Sequence, residues 1–285
     1  MKYLKRVLCA MLACMLTAGV LSPVQAEAAT SVETFVDNDN GTVDVTFTVA
    51  EDATILVMVT VPKENVTADS NEQTNYYYKL TAGENTVTIP LTRGAGTYKV
   101  RVLEKLADGR AKVLASTDVV LGEDASDEVF STANFVVDYE ISDKFIKKAK
   151  TLTKSCKTET AKVKKIYNYI IKNYQYDYEL LKEKAATSYY NPDNTSTFTR
   201  ELGICYDISS LFAAMLRSVG IEARVVTGYT PNVKEYHAWT QVYDSKKKSW
   251  YTIDATTDMC LYNSGSKKYT MVKKDSDYCD IKYIY

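Results

Sequence analysis

Between Val32 and about Leu121 apolar and polar residues alternate, which is the period of half-buried β-strands. The clearest run is Thr42 to Val49, where Val43, Val45, Phe47 and Val49 share one face, and Asn40-Gly41 just before it marks a tight hairpin turn. Further strands are expected at 54–61, 75–80, 86–91, 97–104 and 112–121. They are separated by the turn signals Ala82-Gly83, Gly94-Ala95-Gly96 and Asp108-Gly109.

Short strands at this regular spacing predict an all-β, immunoglobulin-like sandwich over 30–122. No cluster of reactive side chains stands out in it, so it reads as a spacer or a binding platform. The stretch Gly122 to Glu128 is polar and acidic, and it is taken as a linker between domains. Beyond it the period changes to that of helices. Ser142 is placed to cap a helix bearing Phe145, Ile146, Ala149 and Leu152. Thr158 is placed to start a second, in which Val163, Ile166, Tyr167, Ile170 and Tyr174 lie on one face. Ser188 to Arg200, rich in hydroxyls and holding Asn191-Pro192-Asp193-Asn194, reads as a loop. Residues 130–285 are thus expected to form a second, α+β domain, able to fold without the first.

The N-terminus changes where the folded chain begins. Lys2, Lys5 and Arg6 precede an uncharged, mostly apolar run from Val7 to about Leu21, and Val24-Gln25-Ala26 resembles a signal cleavage site. Residues 1–26 are therefore expected to be a signal peptide, leaving a secreted, extracellular or cell-wall associated protein without a stable membrane span. The chain has 35 Lys and Arg against 36 Asp and Glu, and loss of the segment removes three of the basic residues, for a mature charge near −4. No basic patch suits a phosphate backbone, so nucleic acid is not an expected partner. Lys246-Lys247-Lys248 falls where a solvated hairpin turn is expected.

Cys9 and Cys14 leave with the signal, and Cys156, Cys205, Cys260 and Cys279 remain. They form no C-x-x-C pair, and with one histidine in the chain neither a metal site nor a cofactor is called for. Export would permit a disulfide, most simply Cys260 to Cys279, although every pairing of the four is open to the sequence.

The chemistry concentrates near Cys205. Ile208, Leu211, Phe212, Met215, Leu216 and Val219 follow it as an amphipathic helix closed by Gly220, so the thiol stands at a helix N-terminus, where the dipole favours the nucleophilic thiolate. Gly203 permits a tight turn and close approach of a substrate. Ile221 to Gly228 reads as a strand, and His237, the one histidine, opens another that turns through 244–249 and returns as Trp250 to Asp254. Such a hairpin puts Asp254 across from His237 or diagonal to it on the same face. A thiol, a base and a carboxylate that fixes the base are the parts of a Cys-His-Asp hydrolase or acyltransferase.

Gly203-Ile204-Cys205, the run Leu211 to Tyr229, His237-Ala238-Trp239 and Trp250 to Thr256 together resemble the transglutaminase-like superfamily. The resemblance implies a papain-like α+β catalytic domain whose triad is Cys205, His237 and Asp254. Tyr176, in the Tyr-Gln-Tyr-Asp run ahead of the cysteine, matches similar tyrosine motifs and is the candidate second oxyanion donor. Tyr206 stands where relatives often carry a small residue. The implied substrate is a protein or peptide amide, attacked through a thioester. Hydrolysis, as a peptidase or glutamine deamidase, is the first reading; amine transfer is the second, and a surface-binding module with a relic triad the third.

Overall fold

The computed structural model describes residues 7–8, 30–66, 71–105, 110–185 and 190–285. The expected signal peptide lies outside them except for β1 (Val7–Leu8), which runs antiparallel to β2 (Ser31–Asp37). The alternating region folds as β3 (Thr42–Val49), β4 (Ala53–Thr60), β5 (Gln73–Leu80), β6 (Gly83–Pro90), β7 (Gly96–Lys105) and β8 (Ala111–Leu121). Two four-stranded antiparallel sheets result, in the orders β1-β2-β3-β6 and β5-β4-β7-β8. The period-two residues explain their packing. Val43, Val45, Phe47 and Val49 of one sheet are buried together with Ile55, Val57, Val59, Tyr76, Tyr78, Tyr98 and Val100 of the other.

The stretch expected to be a linker is instead a helix, α1 (Glu123–Glu128), followed by the buried Val129 and Phe130. Acidic residues in its first turn favour the helix through its dipole. Next come α2 (Lys144–Thr153) and α3 (Glu159–Asn173). Thr158 caps α3 as expected, accepting from the Ala161 N–H at 3.2 Å, whereas α2 begins from Asp143 rather than Ser142. A short parallel pair, β9 (Gln175–Tyr176) and β10 (Leu202–Gly203), brackets α4 (Tyr178–Ala185) and α5 (Asn194–Arg200). The expected loop before Arg200 thus ends in a helix, because the Asp193 carboxylate accepts from the Ser196 N–H at 2.8 Å and supplies an N-cap.

At the centre lies α6 (Cys205–Arg217), buried on every side from Asp207 to Arg217. It packs on a sheet ordered β13-β12-β11-β14, made of β11 (Ala223–Thr230), β12 (Val233–Asp244), β13 (Ser249–Ile253) and β14 (Asp280–Ile284), with α7 (Ala255–Asn263) after β13. Arg217 ties the layers by donating to the carbonyls of Ala223, Thr132 and Tyr285 at 2.7, 2.6 and 3.2 Å. The three lysines 246–248 do form the β12–β13 turn, where the Lys246 and Lys247 N–H groups donate to Asp244.

Gly228 of β11 lies opposite His237 of β12, and a Cβ there would stand 2.0 Å from the Asp280 carbonyl oxygen of β14. Gly228→Ala is therefore expected to cost about 1–3 kcal/mol through forced strand displacement. A thermal melt within experimental error of wild type would show that β14 does not close on this strand.

The N-terminal sheets and the α+β part share one hydrophobic cluster. Tyr76 meets Phe135 and Tyr285 edge-on at 6.4 and 5.9 Å between ring centroids, and Thr92 donates to the Ile284 carbonyl at 2.7 Å. This junction forms one wall of the site.

Candidate active site

Three elements converge on Cys205. Ile204 is extended and β10 ends just before it, so the chain turns sharply into α6 with Cys205 as its first residue. The turn is held from within. The Asp207 carboxylate accepts from the Ile204 N–H at 2.9 Å and from the Tyr190 hydroxyl at 2.5 Å. Burial pushes the Asp207 carboxyl up to about 6, against the lowering effect of those two donors. A Cβ on Gly203 would lie 2.8 Å from Asp207 Cβ, so the room this glycine leaves is filled by Asp207 and not by a substrate.

His237 sits within β12 rather than opening it, since the strand begins at Val233. In the β12–β13 ladder Thr240 faces Ile253, so Asp254, one residue beyond the strand, falls diagonal to His237. His237 Nε2 and Asp254 Oδ2 are 2.9 Å apart, with the two side chains 5% and 0% exposed. Nε2 is thereby committed to the carboxylate, and the other ring nitrogen is left for the thiol. Burial alone would lower the His237 pKa, but the Asp254 charge and hydrogen bond, with a further contribution from the Cys205 thiol, hold it well above its ordinary value. Asp254 moves the opposite way: burial would raise it, and His237 and Thr257 keep it well below the carboxylate range.

Asp254 has a second duty as the N-cap of α7, accepting from the Thr257 N–H at 2.9 Å on Oδ1 and from the Thr257 hydroxyl at 2.6 Å on Oδ2. The Tyr278 hydroxyl also donates to Oδ2, at 2.9 Å. Tyr278 is buried and meets Trp239 edge-on at 5.3 Å. Neither partner was identified in the sequence. Thr257 had a signal, Asp-x-x-Thr ahead of a helix, whereas Tyr278 is one of 23 tyrosines and is brought in only by the chain's return beside β11.

Tyr176 stands level with Gly203 in the β9–β10 pair. Its hydroxyl lies against both the thiol and the backbone N–H of Cys205; burial first, and then the charge of that thiol, raise its pKa. The structure thus brings together all four residues singled out in the sequence. Among the described residues the four cysteines, Cys156, Cys205, Cys260 and Cys279, are free thiols, so the suggested Cys260–Cys279 bond is not formed. Among the described residues no cluster of three or more His, Cys, Asp or Glu could hold a metal, and no helix is long and apolar enough to cross a membrane.

Cys205 and His237 open onto a cleft of about 590 Å³ whose walls are largely aromatic. Tyr206 lies in it, 5.9 Å from the Tyr285 ring, and the bulky residue after the cysteine shapes the cleft rather than closing it. Asn75, Tyr76 and Tyr77 of the N-terminal sheets line it as well.

The family model described as the transglutaminase-like superfamily core matches residues 146–255, which contain Cys205, His237 and Asp254. This segment is a transglutaminase-like core domain. Human peptide-N(4)-(N-acetyl-beta-glucosaminyl)asparagine amidase is 31% identical over 104 residues, 34% of this chain. The mouse protein of that name is 30% identical over the same length. The match spans 15% of the length of these relatives, so the likeness is to one part of them. Among solved structures, a Cytophaga hutchinsonii protein provisionally classed as a cysteine protease is 17% identical, with 90% of this chain and 88% of that one covered and a TM-score of 0.41. Red sea bream transglutaminase is 10% identical, with 76% and 48% covered and a TM-score of 0.29.

Proposed function

We propose that the transglutaminase-like domain is a thiol-dependent hydrolase of protein or peptide amides, acting through a thioester on Cys205 in an exported protein. The observation that carries this reading is the arrangement in one open cleft of a cysteine at a helix N-terminus, an imidazole beside it and a buried carboxylate behind the imidazole. The thiolate adds to the amide carbon, and the C–S bond forms. The oxyanion is met by the Cys205 N–H and the Tyr176 hydroxyl. Collapse breaks the C–N bond while the His237 imidazolium gives its proton to the leaving amine. Neutral His237 then takes a proton from water, whose oxygen attacks the thioester, and the acid product leaves with the thiol regenerated. The amidase relatives support water as the acceptor. The export part rests on the charged and apolar pattern of residues 1–26.

The test is incubation of the protein with a library of glutamine- and asparagine-containing peptides, with and without a primary amine, read by mass spectrometry. Conversion of amide to acid, or peptide fragments, is the expected result. Incorporation of the amine in preference to water would replace hydrolysis by transfer. Within this mechanism Tyr176→Phe is expected to lower kcat by about 10²–10³-fold with little change in KM. A variant of unchanged kcat would remove Tyr176 from the oxyanion site.

A further inference from the structure

After α7 the chain returns to the triad, and the segment 264–279 is fastened on both sides of Asp254. The Lys273 N–H donates to the Thr252 carbonyl at 2.9 Å, two residues before Asp254, and Lys273 Nζ reaches Asp258 Oδ1 at 2.5 Å, four residues after it. A single 3₁₀ turn, Asp275–Asp277, then delivers Tyr278. Its hydroxyl donates to Asp254 Oδ2 at 2.9 Å, and its buried ring is seated edge-on against Trp239.

The two oxygens of Asp254 have different partners. Oδ1 accepts from the Thr257 N–H at the start of α7, whereas Oδ2 accepts from His237, from the Thr257 hydroxyl and from Tyr278. Tyr278 therefore shares with His237 the oxygen that acts on the imidazole. Burial, and then the Asp254 charge, raise the Tyr278 pKa, so its hydroxyl keeps the proton it donates. The titratable groups facing the His237 ring are Asp254 and Cys205. Around the carboxylate stand also Asp258, held by Lys273 and by the Tyr167 hydroxyl, and Cys260 of α7. A hydroxyl donated to Oδ2 sets its positive end against the oxygen that attracts the imidazolium, and so weakens that attraction. Without it the ring would be held more firmly in its charged form and would release its proton less readily.

We propose that Tyr278 is a positioning residue of the triad, whose hydroxyl fixes Asp254 Oδ2 toward His237 and takes up part of that oxygen's negative charge, which frees the imidazolium to give its proton to the leaving amine. The assignment rests on the amide-hydrolase reading for its purpose, but the effect on the ring can be measured without turnover.

His237 is the one histidine of the chain, so ring-nitrogen NMR of protein labelled in histidine reports this site alone. The full-length chain carrying Cys205→Ala, in which the neighbouring thiol no longer titrates with the ring, is followed through pH with and without Tyr278→Phe. That change keeps the ring against Trp239 and removes only the hydroxyl. Loss of the donor is expected to move the midpoint of the His237 titration upward by about one pH unit. Replacing Tyr278 by 3-fluorotyrosine, a stronger donor on the same ring, is expected to move it downward. An unmoved midpoint, or a downward shift in Tyr278→Phe, would overturn the proposal. Should Tyr278→Phe fail to fold, the direction of the fluorotyrosine shift decides alone. With Cys205 restored, Tyr278→Phe is expected to lower kcat about tenfold at little change in KM, and an unchanged kcat would also overturn the proposal. Wild-type turnover is scored separately: a shifted midpoint without any turnover would leave the positioning role standing and remove the hydrolase reading, and turnover with unmoved midpoints would do the reverse.

Discussion

Exchanging His237 for alanine is expected to lower amide turnover at neutral pH by about six orders of magnitude, as loss of a triad base does in other nucleophilic enzymes. The size of the effect follows from two roles held by one ring. Asp254 holds the His237 pKa well above its ordinary value, so the imidazole keeps its proton through the neutral range. That cation lies beside the Cys205 thiol and later supplies the proton to the leaving amine. Alkylation of Cys205 by iodoacetamide is therefore expected to be faster in the wild type than in His237→Ala. The helix N-terminus remains in the variant and accounts for any residue of reactivity. Equal alkylation rates in the two proteins would mean that the ring does not act on the thiol.

Removal of Asp254 is expected to damage the fold as well as the chemistry. Its carboxylate, 0% exposed, accepts from His237, from Tyr278 and twice from Thr257. Asp254→Ala leaves a buried cation and orphaned donors, for an expected loss of about 3–5 kcal/mol. Asp254→Asn keeps the volume and isolates the charge. Because the folded pKa of Asp254 is depressed, its contribution is present above the unfolded carboxylate value of about 3.9 and is lost as pH falls through the depressed folded value. His237 has a raised folded pKa, so its contribution is present below about 6.5 and is lost as pH rises through the raised value. The stability gap between wild type and Asp254→Asn should accordingly be widest at about pH 4–6.5 and narrow on both sides. Denaturant unfolding at acid, intermediate and alkaline pH measures this, and a gap independent of pH would contradict the ion pair.

Much of this site was legible in the sequence because it is built from local signals. The stripe from Ile208 to Leu216 fixed a helix behind Cys205, and the β12–β13 register, with Thr240 facing Ile253, is the one that places Asp254 diagonal to His237. What was not legible depends on contacts between distant segments. Tyr278 reaches Asp254 from 24 residues away, and Asn191 reaches Tyr77 across 114. Periodicity carries no trace of either. The stretch before Arg200 reads as a loop because polar residues obscure a short capped helix, and α1 reads as a linker because its six residues carry little apolar surface. That the N-terminal sheets line the cleft also escaped the alternating pattern, which locates a core face but not the layer packed beside it. Since Asn75–Tyr77 line the cleft and Tyr76 packs on Tyr285, the α+β part is not expected to keep full function when cut off near Phe130.

The central claim is that Cys205 carries the acyl group, and the most direct measurement is the intact mass of the protein quenched in acid during turnover of a peptide amide. The account predicts a transient mass increase equal to the acyl part of the substrate, without the leaving amine, mapped to Cys205, discharged by hydroxylamine and absent from Cys205→Ala. Turnover by the Cys205→Ala protein, or an adduct on any other residue, would contradict it.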